Sequence, residues 1–209
     1  MSNVPTFISI YDNALSKDEC SSIINEFEIS KHRWKSGVTG PSYEPDPENK
    51  ISTEIFYQLD DDSYTSNTLV KKLRIFVEKY NKEYSDVDKH LAAWTASLGY
   101  NIQKYNPGEG YFTPHCEVHD IPTSLRTLVW MFYLNDVPDG GTNFPTYNIT
   151  TDAVEGRLVL WPPYWTHAHH GIVSHTQVKY QLDGLLFNIQ SIHLFLIPNR
   201  YIFQIISIT

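Results

Sequence analysis

Apolar positions in the first half of the chain recur at helical spacing. Cys20, Ile23, Ile24 and Phe27 fall at i, i+3, i+4 and i+7 and make one stripe. Just before them, Ser16-Lys17-Asp18-Glu19 has the form of a capping box, a serine hydroxyl for the N3 amide and a glutamate reaching back to the cap amide. A helix beginning after Ser16 follows. A second stripe, Leu69, Leu73, Phe76, Val77 and Tyr80, predicts a helix over residues 66–84, with Lys71, Lys72 and Glu78 on its solvated face. Between the stripes, residues 31–65 are polar and carry Gly37, Gly40, Pro41, Pro45 and Pro47. They read as loops with one strand near residues 51–59, and their content allows either a lid or ordinary loops.

The period changes near residue 97. Short apolar segments now alternate with turn signals: Asn106-Pro107-Gly108, Pro138-Asp139-Gly140-Gly141, Glu155-Gly156 and Trp161-Pro162-Pro163. That spacing predicts a small all-β barrel or sandwich, with residues 127–134 and 157–161 as its clearest strands. Residues 185–209 are rich in Ile, Leu and Phe but interrupted by Asn188, Gln190, His193, Pro198, Asn199 and Arg200. They read as terminal strands covering the core, or as a surface for a partner or membrane. The expected class is α+β, mainly β. The expected organisation is a single domain over 1–209: helical support with loops in 1–95, a β core in 96–190 and an unassigned tail in 191–209.

Composition narrows the function classes. With 209 residues, 41% hydrophobic and 14% aromatic, the chain can bury a core, which excludes global disorder. A formal net charge of −8 offers no electrostatic footprint for a phosphate backbone, so no nucleic-acid partner is expected. Cys20 and Cys116 are the two cysteines, too few for a disulfide framework or a Cys-rich zinc site. Met1-Ser2-Asn3-Val4-Pro5 lacks the basic-then-apolar pattern of a signal peptide, and no apolar run reaches membrane-spanning length. The expectation is a soluble protein without membrane partners, in a reducing cytoplasm (the host's, for a viral protein).

Candidate chemistry lies in the histidines. Of nine, seven fall between residues 115 and 193. His115-Cys116-Glu117 places an imidazole and a carboxylate at i and i+2, on one face of a strand. His167-Ala168-His169-His170 lies just past the strand ending at Trp161 and can supply a third ligand from across a barrel. Two His and one carboxylate on one octahedral face form the facial triad of non-haem Fe(II) oxygenases. A helical zinc reading of residues 115–119 fails because Cys116 stands where that motif needs Glu, and Pro114 and Pro122 flank the segment.

The stretch from Tyr105 to about Gly184 resembles the 2-oxoglutarate and Fe(II)-dependent dioxygenases of the prolyl 4-hydroxylase type, most of all their short phage and marine-microbial members. The matching pieces are Tyr105-Asn106-Pro107-Gly108-Glu109-Gly110-Tyr111, His115-Cys116-Glu117, residues 126–135, Gly140-Gly141-Thr142-Asn143-Phe144-Pro145, residues 156–162, and His169-His170-Gly171 with Lys179-Tyr180, in that order. The resemblance implies a double-stranded β-helix (a cupin-like jelly roll) braced by N-terminal helices. It implies His115, Glu117 and His169 as catalytic iron ligands, Lys179 and Tyr133 on the distal carboxylate of 2-oxoglutarate, and Tyr105 in the co-substrate pocket. It implies O₂ and a peptidyl (prolyl among the options) or small-molecule substrate, release of succinate and CO₂, and ascorbate as an accessory.

Strand period agrees in part: Lys179 would point inward with Gln181 and Asp183, and Thr127, Val129, Met131 and Tyr133 share a face. A buried ammonium needs an anionic partner, which a dicarboxylate supplies. Alternation turns His167 to the side of His169 and His170 away. Trp165, Tyr111, Trp161 and Arg126 are further pocket candidates. Glu117 stands where Asp is commoner, and Asp183-Gly184-Leu185 lacks the aromatic of the usual Gly-Trp ending. The competing readings are a non-catalytic or zinc-holding β-barrel module and a cupin-type metal enzyme that uses no 2-oxoglutarate.

Overall fold

The computed structural model describes residues 4–40, 44–59, 63–90 and 94–188. Its helices are α1 (Lys17–Ile29), α2 (Tyr64–Glu83) and α3 (Ser85–His90). The capping box forms at α1: the Glu19 amide donates to Ser16 Oγ at 3.2 Å, and the Ser16 amide donates to Glu19 Oε2 at 2.7 Å. Cys20, Ile23 and Phe27 are buried, as the stripe requires. α2 starts two residues earlier than its stripe indicates. Ser63 is the cap, accepting from the Ser66 amide, while the Ser66 hydroxyl turns inward to the Tyr100 hydroxyl at 3.0 Å.

The strands in chain order are β1 (Ser9–Tyr11), β2 (Lys35–Ser36), β3 (Lys50–Ile51), β4 (Thr53–Gln58), β5 (Trp94–Tyr105), β6 (Gly110–Tyr111), β7 (Arg126–Tyr133), β8 (Val137–Phe144), β9 (Ile149–Ala153), β10 (Leu158–Trp161), β11 (His170–Ile172) and β12 (Lys179–Asn188). A seven-stranded sheet runs β1-β10-β7-β12-β5-β4-β2, a three-stranded sheet runs β11-β8-β9, and β3 pairs with β6. The paired strands are antiparallel throughout. The architecture is a double-stranded β-helix.

Strand period two sorts the core into two layers. From β7, Leu128, Trp130 and Phe132 pack with the apolar stripes of α1 and α2, together with Leu158 and Leu160 of β10. Val129, Met131 and Tyr133 turn to the other side, where Val159 and Trp161 meet Val137, Phe144 and Ala153 of the smaller sheet. The helices therefore brace the outer face of the large sheet, and its inner face is left to line the barrel. β12 follows the same rule, burying Leu182 and Leu186 on the helix side. Gly184 of β12 is a close approach: a Cβ there would lie 2.4 Å from Trp130 Cζ2.

The first half contributes more to the sheet than its sequence pattern shows. β1, β2 and β4 all belong to the large sheet, although only one strand is legible there from sequence. Three residues of β1 and two of β2 are too short to display an alternation. Of the apolar tail, residues 185–188 complete β12 against β5 and β7. The rest of the tail lies outside the described residues. Among the described residues no helix is long and apolar enough to cross a membrane.

Candidate metal and co-substrate site

Backbone pairing brings the three proposed ligands together. The His115 amide donates to the His169 carbonyl at 3.0 Å, and the His169 amide returns the bond to His115 at 2.9 Å. Two residues on, the Glu117 amide donates to the Pro163 carbonyl at 2.9 Å. The side chains then converge: Glu117 Oε1 lies 3.6 Å from His115 Nε2 and 3.8 Å from His169 Nε2. One ligand atom from each of the three falls within 4.8 Å of the others. Residues 112–121 are non-helical, so a zinc-helix geometry is absent from this segment.

The imidazoles are oriented through their other nitrogens. His115 Nδ1 donates to the Thr113 carbonyl at 3.1 Å, and His169 Nδ1 to the His167 carbonyl at 3.0 Å. That tautomer leaves both Nε2 lone pairs for a cation. The Tyr111 ring stacks on His115 with centroids 3.5 Å apart, and Trp161 sets its edge against His169 at 4.9 Å. Burial pulls the His115 pKa down and the His169 pKa to about 4, so both rings are neutral at neutral pH. Burial alone would raise the Glu117 carboxyl, but His115, His169, Arg126 and Lys50 outweigh it and hold the group below the usual range. Arg126 also donates to the Glu117 carbonyl, which fixes the backbone carrying the carboxylate. Two neutral imidazoles and an ionised carboxylate on one side of a pocket fit a six-coordinate divalent metal, with three positions left over.

The triad opens on a cavity of about 820 Å³. Lys179 enters it from the start of β12 and is 2% exposed. Its ammonium donates to the Ile172 carbonyl at 3.4 Å and lies 4.9 Å from the centre of the Tyr105 ring. Among the described residues no carboxylate lies within ion-pair distance, and burial pulls its pKa down to about 8. Tyr105 faces Lys179 across the β5–β12 ladder, and its hydroxyl donates to Gln103 Oε1 at 2.5 Å. Tyr133 is fully buried; its hydroxyl donates to Thr142 Oγ1 at 2.7 Å and lies 2.9 Å from Thr151 Oγ1. Thr142, not Tyr133, is the member of that pair that lines the cavity.

Of the further pocket candidates, Tyr111, Trp161 and Arg126 line the cavity. Trp165 does not: it sits on a short 3₁₀ turn and is 77% exposed. That turn also breaks the alternation expected for His167. Its side chain is buried away from the triad, Nε2 donating to the Thr6 carbonyl at 2.7 Å and Nδ1 accepting from Thr166 Oγ1 at 2.9 Å. His167 reaches the site only through its carbonyl, on His169. His170 opens β11 outside the cavity lining.

Two features escaped sequence reasoning. Lys50 and Glu54 form a buried ion pair at 2.5 Å on the cavity wall, with Ser52 Oγ donating to Glu54 at 2.7 Å. Lys50, just before the segment legible as a strand, stands at period two with Ser52 and Glu54 inside it, so their common face was partly available as a signal. The second is the state of Asp183, already turned inward by strand period: its Oδ1 is shut off from solvent and has no hydrogen-bond partner among the described residues. Burial pushes its carboxyl up to about 8; Lys50 opposes, and Glu54 and Glu117 add to the rise.

No protein-family model matches this sequence, and no curated protein matches it. Solved structures do match. The viral collagen prolyl hydroxylase of Paramecium bursaria Chlorella virus 1, in its 2-oxoglutarate complex, superposes with a TM-score of 0.66 at 18% identity, over 86% of this chain and 95% of that one. A Pseudomonas putida prolyl 4-hydroxylase gives 0.65 at 15% identity, over 88% and 93%. The Trichoplax adhaerens prolyl hydroxylase bound to a hypoxia-inducible-factor oxygen degradation domain peptide gives 0.66 at 14%, over 92% and 88%. The chain has the fold of the prolyl hydroxylases. The match runs over 86–92% of this chain and 88–95% of each enzyme.

Proposed function

We propose that this chain is an Fe(II)- and 2-oxoglutarate-dependent dioxygenase of prolyl 4-hydroxylase type, hydroxylating a peptidyl (prolyl among the options) or small-molecule substrate with release of succinate and CO₂. The observation that carries the proposal is Lys179: an ammonium buried without a carboxylate, in the same cavity as a His-Glu-His triad. A buried unpaired charge is costly, and a bound dicarboxylate removes the cost. A zinc-holding module or a cupin-type enzyme that takes no 2-oxoglutarate has no use for that cation.

His115, Glu117 and His169 would hold Fe(II), which supplies the redox chemistry that activates O₂. The Thr113 and His167 carbonyls keep both imidazoles in the metal-binding tautomer. Lys179 would take the distal carboxylate of 2-oxoglutarate, with Tyr105 flanking it. Tyr133 would act on the same carboxylate through Thr142, which it orients. Tyr111 and Trp161 pack on the imidazoles and keep water from that side of the site. Two free cysteines, one of them in the cavity wall, fit a reducing cytoplasm. Ascorbate is expected to sustain turnover.

The test is succinate release by purified protein given Fe(II), 2-oxoglutarate and O₂. Slow turnover without a primary substrate, abolished by His169→Ala, is the expected result. No succinate under any condition, with Fe(II) and 2-oxoglutarate both supplied and both shown not to bind, contradicts the proposal.

A further inference from the structure

On the inner face of β12, Lys179, Gln181 and Asp183 follow one another into the cavity. The first two have evident tasks. Lys179 waits for an anion, and Gln181 Nε2 donates to Gln103 Oε1 at 2.9 Å, closing a side-chain chain with Tyr105. Asp183 has none. It stands between Asn101 of β5 and Met131 of β7, and neither neighbour donates to its buried Oδ1. Lys50, the cation whose charge is felt at Asp183, is already engaged by Glu54. Asp183 lines the cavity with one carboxyl oxygen left without a donor, a cost that a cationic group arriving at this wall would relieve by drawing the carboxyl into its ionised form.

A neighbouring hollow carries the same sign. A second hollow of about 570 Å³ meets the first at Tyr111 and His115, and among its lining residues Glu44 and Asp46 are charged and no Lys or Arg occurs. A cation is favoured in that hollow. Beyond Asp183 the wall turns apolar at Leu185 and Phe187, which suits an alkyl stem behind a charged head.

We propose that Asp183 is a specificity-determining residue that binds the amine or guanidine group of a cationic substrate beside the metal site. The proposal rests on the oxygenase reading and deepens it, since it names the substrate class. Asp183 acts here as a positioning group for the substrate and takes no part in bond making.

The experiment uses the full chain loaded with Mn(II) and N-oxalylglycine, an unreactive 2-oxoglutarate analogue. Four short peptides are titrated by calorimetry, identical except for lysine, arginine, norleucine or glutamate beside a proline. The lysine and arginine peptides should bind about tenfold or more tighter than the norleucine peptide, and the glutamate peptide weakest, as one charge-assisted hydrogen bond implies. Asp183→Asn should bring the lysine and norleucine peptides within about twofold of each other, and Asp183→Glu should restore part of the preference. Equal affinity for lysine and norleucine in the natural protein overturns the proposal, as does no binding of any peptide, or a preference that survives Asp183→Asn. Because the natural protein alone discriminates lysine from norleucine, a variant that fails to fold does not decide the matter. A chain that takes up neither Mn(II) nor N-oxalylglycine fails at the oxygenase reading itself, and the cationic-substrate proposal falls with it.

Discussion

His115 and His169 exchange both of their backbone hydrogen bonds, so the two imidazoles are set by one antiparallel bridge between segments distant in the chain. The pairing fixes where the side chains start, and the Thr113 and His167 carbonyls fix how the rings turn. Glu117, two residues along, then completes the triad.

A clean contrast follows for the clustered histidines. His169→Ala should abolish Mn(II) binding, with a loss beyond the 10- to 100-fold typical of outer-shell changes. His170→Ala should leave binding intact, because that ring lies outside the cavity lining. Isothermal titration with Mn(II) separates the two, and equal losses would contradict the ligand set.

Lys179→Met should act in opposite directions on stability and binding. Removing a buried unpaired cation should leave the ligand-free protein at least as stable as the natural one, read by thermal melting. The KM for 2-oxoglutarate should rise roughly 10- to 100-fold, and Lys179→Arg should recover part of it. A melting loss with no change in KM would place the lysine in packing only.

His169, Asp183 and Lys179 carry large shifts that shape the pH response of the ligand-free protein. His169 titrates at about 4 when folded and near its ordinary 6.5 when unfolded, so the unfolded chain binds more protons between those values. The His169 contribution to stability therefore falls as pH drops from 6.5 to 4, while the Asp183 carboxyl, raised from 3.8 to about 8, contributes the opposite slope across that window, so the two oppose each other there. Lys179, pulled from 10.5 to about 8, gives the sign of His169 in a higher window: stability rises as pH climbs from 8 to 10.5. Binding of 2-oxoglutarate should weaken over that upper range, because it needs the charged ammonium. Denaturant titrations across pH check the stability slopes, and a pH series of KM checks the binding.

Gly184→Ala should destabilise the fold by about 1–3 kcal/mol, since the added methyl meets the Trp130 ring at 2.4 Å and the indole must move. Urea unfolding followed by tryptophan fluorescence reads both the loss and the displaced ring.

Much of this architecture is legible in the chain itself. The Ser16–Glu19 box, the stripe on α1 and the alternation along β7 are local signals, and each survives folding because tertiary packing uses the same faces. The inward turn of Lys179 was legible for the same reason. What was hidden depends on local breaks or on contacts across the fold. A 3₁₀ turn at residues 165–167 swings His167 to Thr6 and Trp165 into solvent, and no strand period anticipates it. The Lys50–Glu54 pair joins β3 to β4, and the orphaned Asp183 oxygen acquires meaning only when β12 stands between β5 and β7. Tyr133 was rightly placed on the inner face, yet its hydroxyl ends on Thr142 and Thr151, partners supplied by other strands.

The most direct measurement is a crystal structure of the protein with Mn(II) and N-oxalylglycine. The result expected is one ion bound by His115 Nε2, His169 Nε2 and the Glu117 carboxylate, chelated by the analogue, whose far carboxylate rests on Lys179 Nζ. An ion held by other residues, or an analogue that leaves Lys179 without a carboxylate, would contradict the central claim.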